Sequence, residues 1–314
     1  MILGVGSLPL SAWRRAVAVY ILVNPLTPLS FTPTADRKER PSHEGEKGIF
    51  TVSTLGTVAS LWRYPVKSMR GEELSEAFVG FSGVYGDRVF AFRSSASAKG
   101  FPYLTARQQR TLLQYCPRFR HAEKAARPVN LAEAEGMGPG LTPVYADAAE
   151  FGVDVVTPTG ETRAIDDPAL IGMLRDGVSG EPEITLVRSD RAMTDCRPVS
   201  LLSLQTVRRL GEETGAAFDQ RRFRANVYLD VGTAGGFAEN GFVGRSLRVG
   251  PKVVLAILER DPRCVMITLD PDSGESSPTI LRQIARAHDA MAGVYAAVLV
   301  EGMVRKGDPV HLLG

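Results

Sequence analysis

The sequence predicts an α+β, strand-rich fold of barrel type, and three observations carry that prediction. Short apolar or alternating runs recur along most of the chain, each bounded by Gly, Pro, Asn or Asp. Helical spacing is confined to a few segments, near residues 169–176, 201–214 and 278–288. No G-x-G-x-x-G follows a strand and no Walker pattern occurs, so a doubly wound nucleotide-binding sheet has no support.

Taken in order, residues 1–53 differ from the rest. Arg14 and Arg15 precede an apolar run from Ala16 to Val23, then come Pro25, Pro28 and Pro33 and a charged stretch from Asp36 to Lys47. The run is too short to span a bilayer. It resembles a secretory leader only loosely, because no small-x-small cleavage site follows. The segment is expected to be a poorly ordered extension, which an over-long translation start would also produce, with a working signal or anchor as the alternative. From Thr57 to Tyr64 the chain alternates as a strand does, and Pro65 ends it. Glu76 to Gly80 and Val89 to Arg93 read as further strands. The stretch from Ala122 to Pro143, rich in Ala, Glu, Gly and Pro, reads as a surface insertion. Glu150 to Val156 and Glu161 to Ile165 form a hairpin around a Thr-Pro-Thr-Gly turn, followed by a short helix from Ala169 to Asp176 and a strand from Ile184 to Val187.

A second part opens at Ser189, giving expected units of 54–188 and 189–314. Leu201 to Thr214 is predicted helical, with Ser203 as a plausible N-cap and Gly215 past its end. Asn226 to Asp230, Ser246 to Val249, Val253 to Leu258 and Val265 to Leu269 read as strands. Pro278 to His288 is helix, Gly293 to Glu301 a strand and Pro309 to Leu313 a closing strand.

Composition narrows the function classes. With 314 residues, 44% hydrophobic and 23% charged, the bulk of the chain is neither disordered nor collagen-like. A net charge of +2 gives no reason to expect a nucleic-acid partner, although it leaves room for a local basic pocket. Three cysteines, at 116, 196 and 264, make no disulfide framework and suit a reducing compartment, so a cytoplasmic location is expected. No transmembrane segment is evident, and membrane association is not expected. The four histidines, at 43, 121, 288 and 311, lack ligand spacing.

Chemistry concentrates near Cys264. It follows Arg260, Asp261 and Arg263, at the mouth of the expected strand from Val265, and an Asp-Pro-Asp-Ser-Gly turn comes next. The anionic form of a cysteine is both nucleophile and metal ligand, and nearby cations favour it. Without a CxxC partner Cys264 holds no zinc or iron–sulfur cluster alone, but it can give one soft ligand to a metal already held by something else. Elsewhere, Lys67 and Ser68 follow a Pro-terminated strand, a good arrangement for gripping a phosphate. Arg88 and Arg107 lie near strand ends, and Arg224 and Asn226 share one face of an extended segment. Cys116 reads as a buried small hydrophobe, and Arg221 with Arg222 as a solvated turn.

These segments resemble the MOSC superfamily, the molybdenum cofactor sulfurase C-terminal domain, with its usual N-terminal β-barrel companion. The matching stretches are LWRYPVKS (61–68), Asp87-Arg88, TARQ (105–108), FRAN (223–226), FAEN (237–240) with LRVG (247–250), Arg263-Cys264, LDPDSG (269–274) and GDPV (307–310), in the family's order. Within the superfamily the chain is similar to the amidoxime-reducing components and their bacterial relatives. The resemblance implies a MOSC β-barrel domain packed against a barrel-like N-terminal domain. It implies an enzyme carrying a molybdenum–molybdopterin cofactor, with Cys264 as metal ligand. Lys67, Ser68 and Arg88 would grip it from one side, and Thr194, Asp195, Cys196, Arg224, Asn226, Arg263 and Tyr295 from the other. Small N-hydroxylated compounds would be the substrates, reduced by two electrons with loss of water. The electrons would come from a separate protein such as a ferredoxin, a flavin reductase or a cytochrome b5-like carrier, because no ferredoxin-type cysteine cluster occurs. Pyridoxal phosphate binding is also associated with the superfamily. The alternative is a carrier holding persulfide sulfur or cofactor at Cys264.

Three departures from the family pattern stand out. Ala225 replaces a usual Pro, Asp261 replaces a second Cys often found three positions before the ligand, and Cys196 stands where a hydroxyl residue is common.

Overall fold

Strand-forming runs spread along the chain must pair with one another to satisfy their backbone groups, and here seven of the sixteen among the described residues close into one ring. In the computed structural model, which describes residues 53–136, 144–147, 149–215 and 218–313, the strands are β1 (Ser53–Arg63), β2 (Glu72–Leu74), β3 (Glu76–Gly80), β4 (Gly83–Val84), β5 (Phe90–Ser94), β6 (Cys116–Phe119), β7 (Val153–Val156), β8 (Thr162–Ala164), β9 (Ile184–Arg188), β10 (Val199–Ser203), β11 (Val227–Asp230), β12 (Ser246–Val249), β13 (Val253–Pro262), β14 (Met291–Val300), β15 (Gly302–Arg305) and β16 (Pro309–Leu313). The helices are α1 (Ala122–Ala126), α2 (Leu131–Gly136), α3 (Pro168–Asp176), α4 (Leu204–Thr214) and α5 (Pro278–His288). The expected extension over residues 1–53 lies almost wholly outside the described residues.

Seven strands run β11-β10-β14-β13-β12-β16-β1 and close back from β1 to β11, with β2 added along the end of β1 beyond its pairing with β16. Closure removes the exposed edges that an open sheet would leave. All the pairings are antiparallel except β10 with β11. Leu61, Leu201, Leu229, Leu247, Leu255 and Val294 fill the interior. β1 comes from the first half of the chain, yet it is a stave of a ring whose other strands come from the second half. Likewise β15 pairs with β3. A second core, containing Phe78, Phe92, Phe119, Phe151 and Leu170, holds the small sheets β3–β4–β15, β5–β9 and β6–β7–β8. The β-rich α+β fold expected from the sequence is therefore present.

Three local expectations change. Residues 199–203 are strand, not the start of a helix, and α4 begins at Leu204. Ser203 does act as its N-cap, accepting from the Thr206 N–H at 3.1 Å, and Gly215 ends it at φ 68°. Val265–Thr268 is a 3-10 turn and not a strand. The reason is local: Ile267 N–H returns to the Cys264 carbonyl at 3.2 Å, and Leu269 N–H to Met266 at 3.2 Å. The Thr268 hydroxyl also donates to the Val265 carbonyl at 2.7 Å. The 122–143 stretch is not wholly surface: it forms α1 and α2, and Ala125 is fully buried, while 137–143 lie outside the described residues.

Candidate functional site

Position in the fold explains why Cys264 is presented as it is. β13 carries register shifts at Ile257/Glu259 and Arg260/Pro262, and such irregularities re-aim side chains at a barrel rim. Pro262 ends the strand, having no N–H to offer the ladder. Arg263 then anchors the exit: its N–H donates to Ala290, its Nε to the Ala292 carbonyl at 2.7 Å and its Nη1 to the Phe223 carbonyl at 2.9 Å. Its Nη2 lies 2.8 Å from Asp261 Oδ2. Gly293, at φ 82°, lets β14 pass β10 here, since a Cβ would stand 2.6 Å from the Leu201 carbonyl oxygen. Cys264 follows, half-buried, as the residue that opens the 3-10 turn.

Cys264 lines an open cleft of about 760 Å³. Every site residue expected from the sequence lines it too, except Cys196. The lining holds seven cationic side chains (Lys67, Arg88, Arg107, Arg197, Arg222, Arg224, Arg263) against two carboxylates, Asp195 and Asp261.

The loop side of the cleft delivers charge. Lys67 is buried, and its ammonium donates to the Met193 carbonyl at 2.7 Å and pairs with Asp195. Burial holds it below the ordinary lysine range, against the pull of Asp195. For Asp195 burial works upward, but Lys67 outweighs it and the carboxyl lies below its usual value. Arg88 and Arg224 stack over Tyr64, 4.7 and 4.2 Å from its ring centroid. Burial drives the Tyr64 hydroxyl up to about 12. Arg88 is paired with Asp87, which is fully buried and accepts the Tyr64 N–H at 2.8 Å. Burial opposes the charge on Arg88, and Asp87 more than restores it. Arg224 has no such partner. Its Nη2 is sealed from solvent without a hydrogen bond, and burial brings the guanidinium down to about 10. Ser68, Arg88 and Arg224 all take left-handed backbone, at φ 66°, 48° and 53°. For non-glycine residues this costs roughly 1–2 kcal/mol each, and such outliers gather at binding sites.

The barrel side delivers position. Asn226 is buried, donating Nδ2 to the Trp62 carbonyl and accepting the Ser200 N–H, both at 3.3 Å. Ser200 donates its hydroxyl to Asp261 Oδ2 at 2.9 Å. Asp261 is 1% exposed, and burial raises its carboxyl above the usual range. Tyr295 lies beside it, pushed up by burial and by that carboxylate. Thr194 is half-buried in the lining.

Cys196 is the correction. It is exposed, and its thiol donates to Glu259 Oε1 at 3.7 Å, the carboxylate that also takes Arg197. An exposed segment turns it away from the cleft. Arg221 and Arg222 are also not a solvated turn: Arg221 pairs with Asp219 and Asp272 at 2.6 Å, and Arg222 with Asp270 at 2.9 Å. They clamp the Leu269–Gly274 turn behind the cysteine. Cys116, expected to be buried, is half-buried in β6.

The residue missing from the expected set is Arg107. Its Nη2 lies 3.4 Å from the Cys264 sulfur and 3.5 Å from Asp195 Oδ2, over the Phe101 ring. The TARQ stretch was the signal, but nothing in a linear sequence says that it reaches Cys264. Among the described residues no cluster of three or more His, Cys, Asp or Glu is built to hold a metal ion. A metal bound at Cys264 has to arrive already chelated. The residues suit such a ligand: an unpaired buried cation, further donors and one accessible sulfur.

The MOSC domain model matches residues 188–311 and the MOSC N-terminal beta barrel domain model matches residues 55–152. Mitochondrial amidoxime reducing component 2 of Rattus norvegicus is 24% identical over 345 residues, covering 98% of this chain and 96% of the relative. Mitochondrial amidoxime-reducing component 1 of Mus musculus is 24% identical over 337 residues, covering 98% and 94%. Among solved structures the YuaD protein of Bacillus subtilis aligns over 82% of this chain and 97% of its own, at 13% identity and a TM-score of 0.41.

Proposed function

Starting from a chain that belongs to the MOSC superfamily and carries that family's N-terminal β-barrel domain, we propose that the cleft binds a molybdenum–molybdopterin cofactor and that the protein reduces N-hydroxylated compounds. The family is associated with the molybdenum cofactor, and the relatives named above are amidoxime-reducing components. The observation that carries the reading is Arg224, a half-buried guanidinium whose Nη2 is sealed from solvent with no hydrogen-bond partner among the described residues, in a lining that holds seven cations and the Cys264 sulfur. An isolated buried charge is costly, and an anionic ligand relieves that cost.

Lys67, Ser68, Arg88 and Arg224 would hold the anionic part, with Thr194, Asp195, Asn226 and Tyr295 along the wall. Cys264 would ligate the metal. Arg263, whose donors are spent on backbone carbonyls and Asp261, would fix the cysteine instead of touching the ligand. When bound, the cofactor supplies two-electron chemistry at an oxygen-bearing nitrogen. The chain's own part is to orient it and exclude bulk water. Electrons come from a separate carrier protein, and no helix among the described residues is long and apolar enough to cross a membrane.

Metal and pterin analysis after expression in a cofactor-competent host tests this, with wild type beside Cys264→Ser. Stoichiometric molybdenum in wild type, lost or weakened in the variant, and reduction of an amidoxime by wild type alone are expected. Wild type without molybdenum overturns it. The half-exposed thiol beside Arg107 also suits a second reading, a carrier of persulfide sulfur, which a stable persulfide on Cys264 without reductase activity would favour.

A further inference from the structure

Reduction of an N–OH group needs protons as well as electrons, and the cleft is short of groups that can give them. The N–O bond breaks and the oxygen leaves as water, carrying its own hydrogen and one added proton. The bonding pair leaves with that oxygen, and the nitrogen takes two electrons, supplied by the electron-carrier protein, together with the second proton. Arginine does not release protons near neutrality. The Tyr295 hydroxyl is pushed away from it, and Cys264 is committed to the metal in this reading.

The Lys67 ammonium is tied to Asp195 and to the Met193 carbonyl, which leaves Asp261. It lies in the cleft wall three positions before Cys264, 1% exposed. Its Oδ2 accepts the Ser200 hydroxyl at 2.9 Å and faces Arg263 Nη2 at 2.8 Å. Its Oδ1 is buried with no hydrogen-bond partner. An unpaired carboxylate oxygen is costly to bury, and a proton on it, donated toward a ligand, removes that cost. The charged and titratable groups facing it are Arg263 beside it, Tyr295 on β14 and, more distantly, Arg88; Ser200 on β10 supplies the hydroxyl. We propose that Asp261, with Tyr295 beside it, is the proton-supplying residue of the cleft, delivering a proton to the N–OH group of the bound substrate. This assignment rests on the reductase reading. Burial also raises the carboxyl's proton affinity, against Arg263, Ser200 and Tyr295.

Three measurements on the full chain test it. In the infrared spectrum, wild type shows a protonated-carboxyl band that persists to higher pH than those of exposed carboxyls, which are gone above about 5; Asp261→Asn lacks it. In cofactor-loaded protein of equal molybdenum content, Asp261→Asn lowers kcat for an amidoxime by about a hundredfold or more. Ser200→Ala, which keeps the carboxyl but removes a donor to its ionised form, moves the alkaline limb of the pH–rate profile to higher pH. That shift reads the proton and not the fold, and it serves if Asp261→Asn does not fold. A loaded, active wild type with Asp261→Asn at full rate, or with the alkaline limb unmoved in Ser200→Ala, overturns this assignment alone. Wild type without molybdenum overturns the reductase reading and this one with it.

Discussion

The two walls of the cleft are built on opposite plans. On the barrel wall, Arg263, Asn226 and Ser200 spend their polar atoms on backbone and on Asp261, and Asp261 Oδ1 is the one atom there kept for a proton. On the loop wall, Ser68, Arg88 and Arg224 are held in left-handed conformations, and Arg224 keeps an unpaired donor. The barrel wall is tied down by strand ladders, so it can fix one sulfur in place. The loop wall carries strain and unmatched charge that only a ligand resolves. Stability and binding are thus divided between the two sides, and substitutions separate them.

The largest effect on folding belongs to the barrel wall. Arg263→Ala strips the donors from the Ala292 and Phe223 carbonyls and is expected to destabilise by about 1–3 kcal/mol for each in denaturant titration. Gly293→Ala sets a Cβ 2.6 Å from the Leu201 carbonyl oxygen at a left-handed φ, so its loss is expected to exceed about 1 kcal/mol. Asn226→Leu strands the Ser200 N–H and the Trp62 carbonyl, at about 1–3 kcal/mol. On the loop wall the sign changes. Arg224→Gln removes an unpaired buried cation, so the ligand-free protein is expected to be no less stable while molybdenum content collapses. Equal losses of stability in Arg224→Gln and Asn226→Leu would erase the distinction between the walls.

The smallest expected effect is electrostatic and lies at acid pH. Asp195 is held below its unfolded value, so its contribution to stability is present above about 4 and is lost as pH falls through the lower folded value. Asp195→Asn should therefore lower the neutral plateau slightly and flatten the acid limb of the stability curve, leaving the stability at its acid end nearly unchanged. The group is half exposed, so the change is modest.

Much of this was legible in the chain, and the failures have physical causes. Pro278–His288 reads correctly because its cap, apolar stripe and terminus agree. Val265–Thr268 looks like a strand because four residues of apolar and β-branched character carry no period, and the deciding hydrogen bonds to Cys264 and from Thr268 are local. Strand β10 hides in front of α4 because Val199–Ser203 is buried throughout and shows no alternation. Lys67, Arg88 and Arg224 could be picked out by type and neighbourhood. Arg107 and Asp261 could not be ranked, since their importance lies in a 3.4 Å approach to sulfur and in an oxygen left without a partner. Cys196 misled because neighbours in sequence face opposite ways from an exposed segment.

X-ray absorption at the molybdenum edge, on wild type and Cys264→Ser loaded side by side, tests the central claim most directly. Wild type is expected to show one more sulfur neighbour on the metal than the variant. Identical sulfur coordination in the two proteins would contradict it.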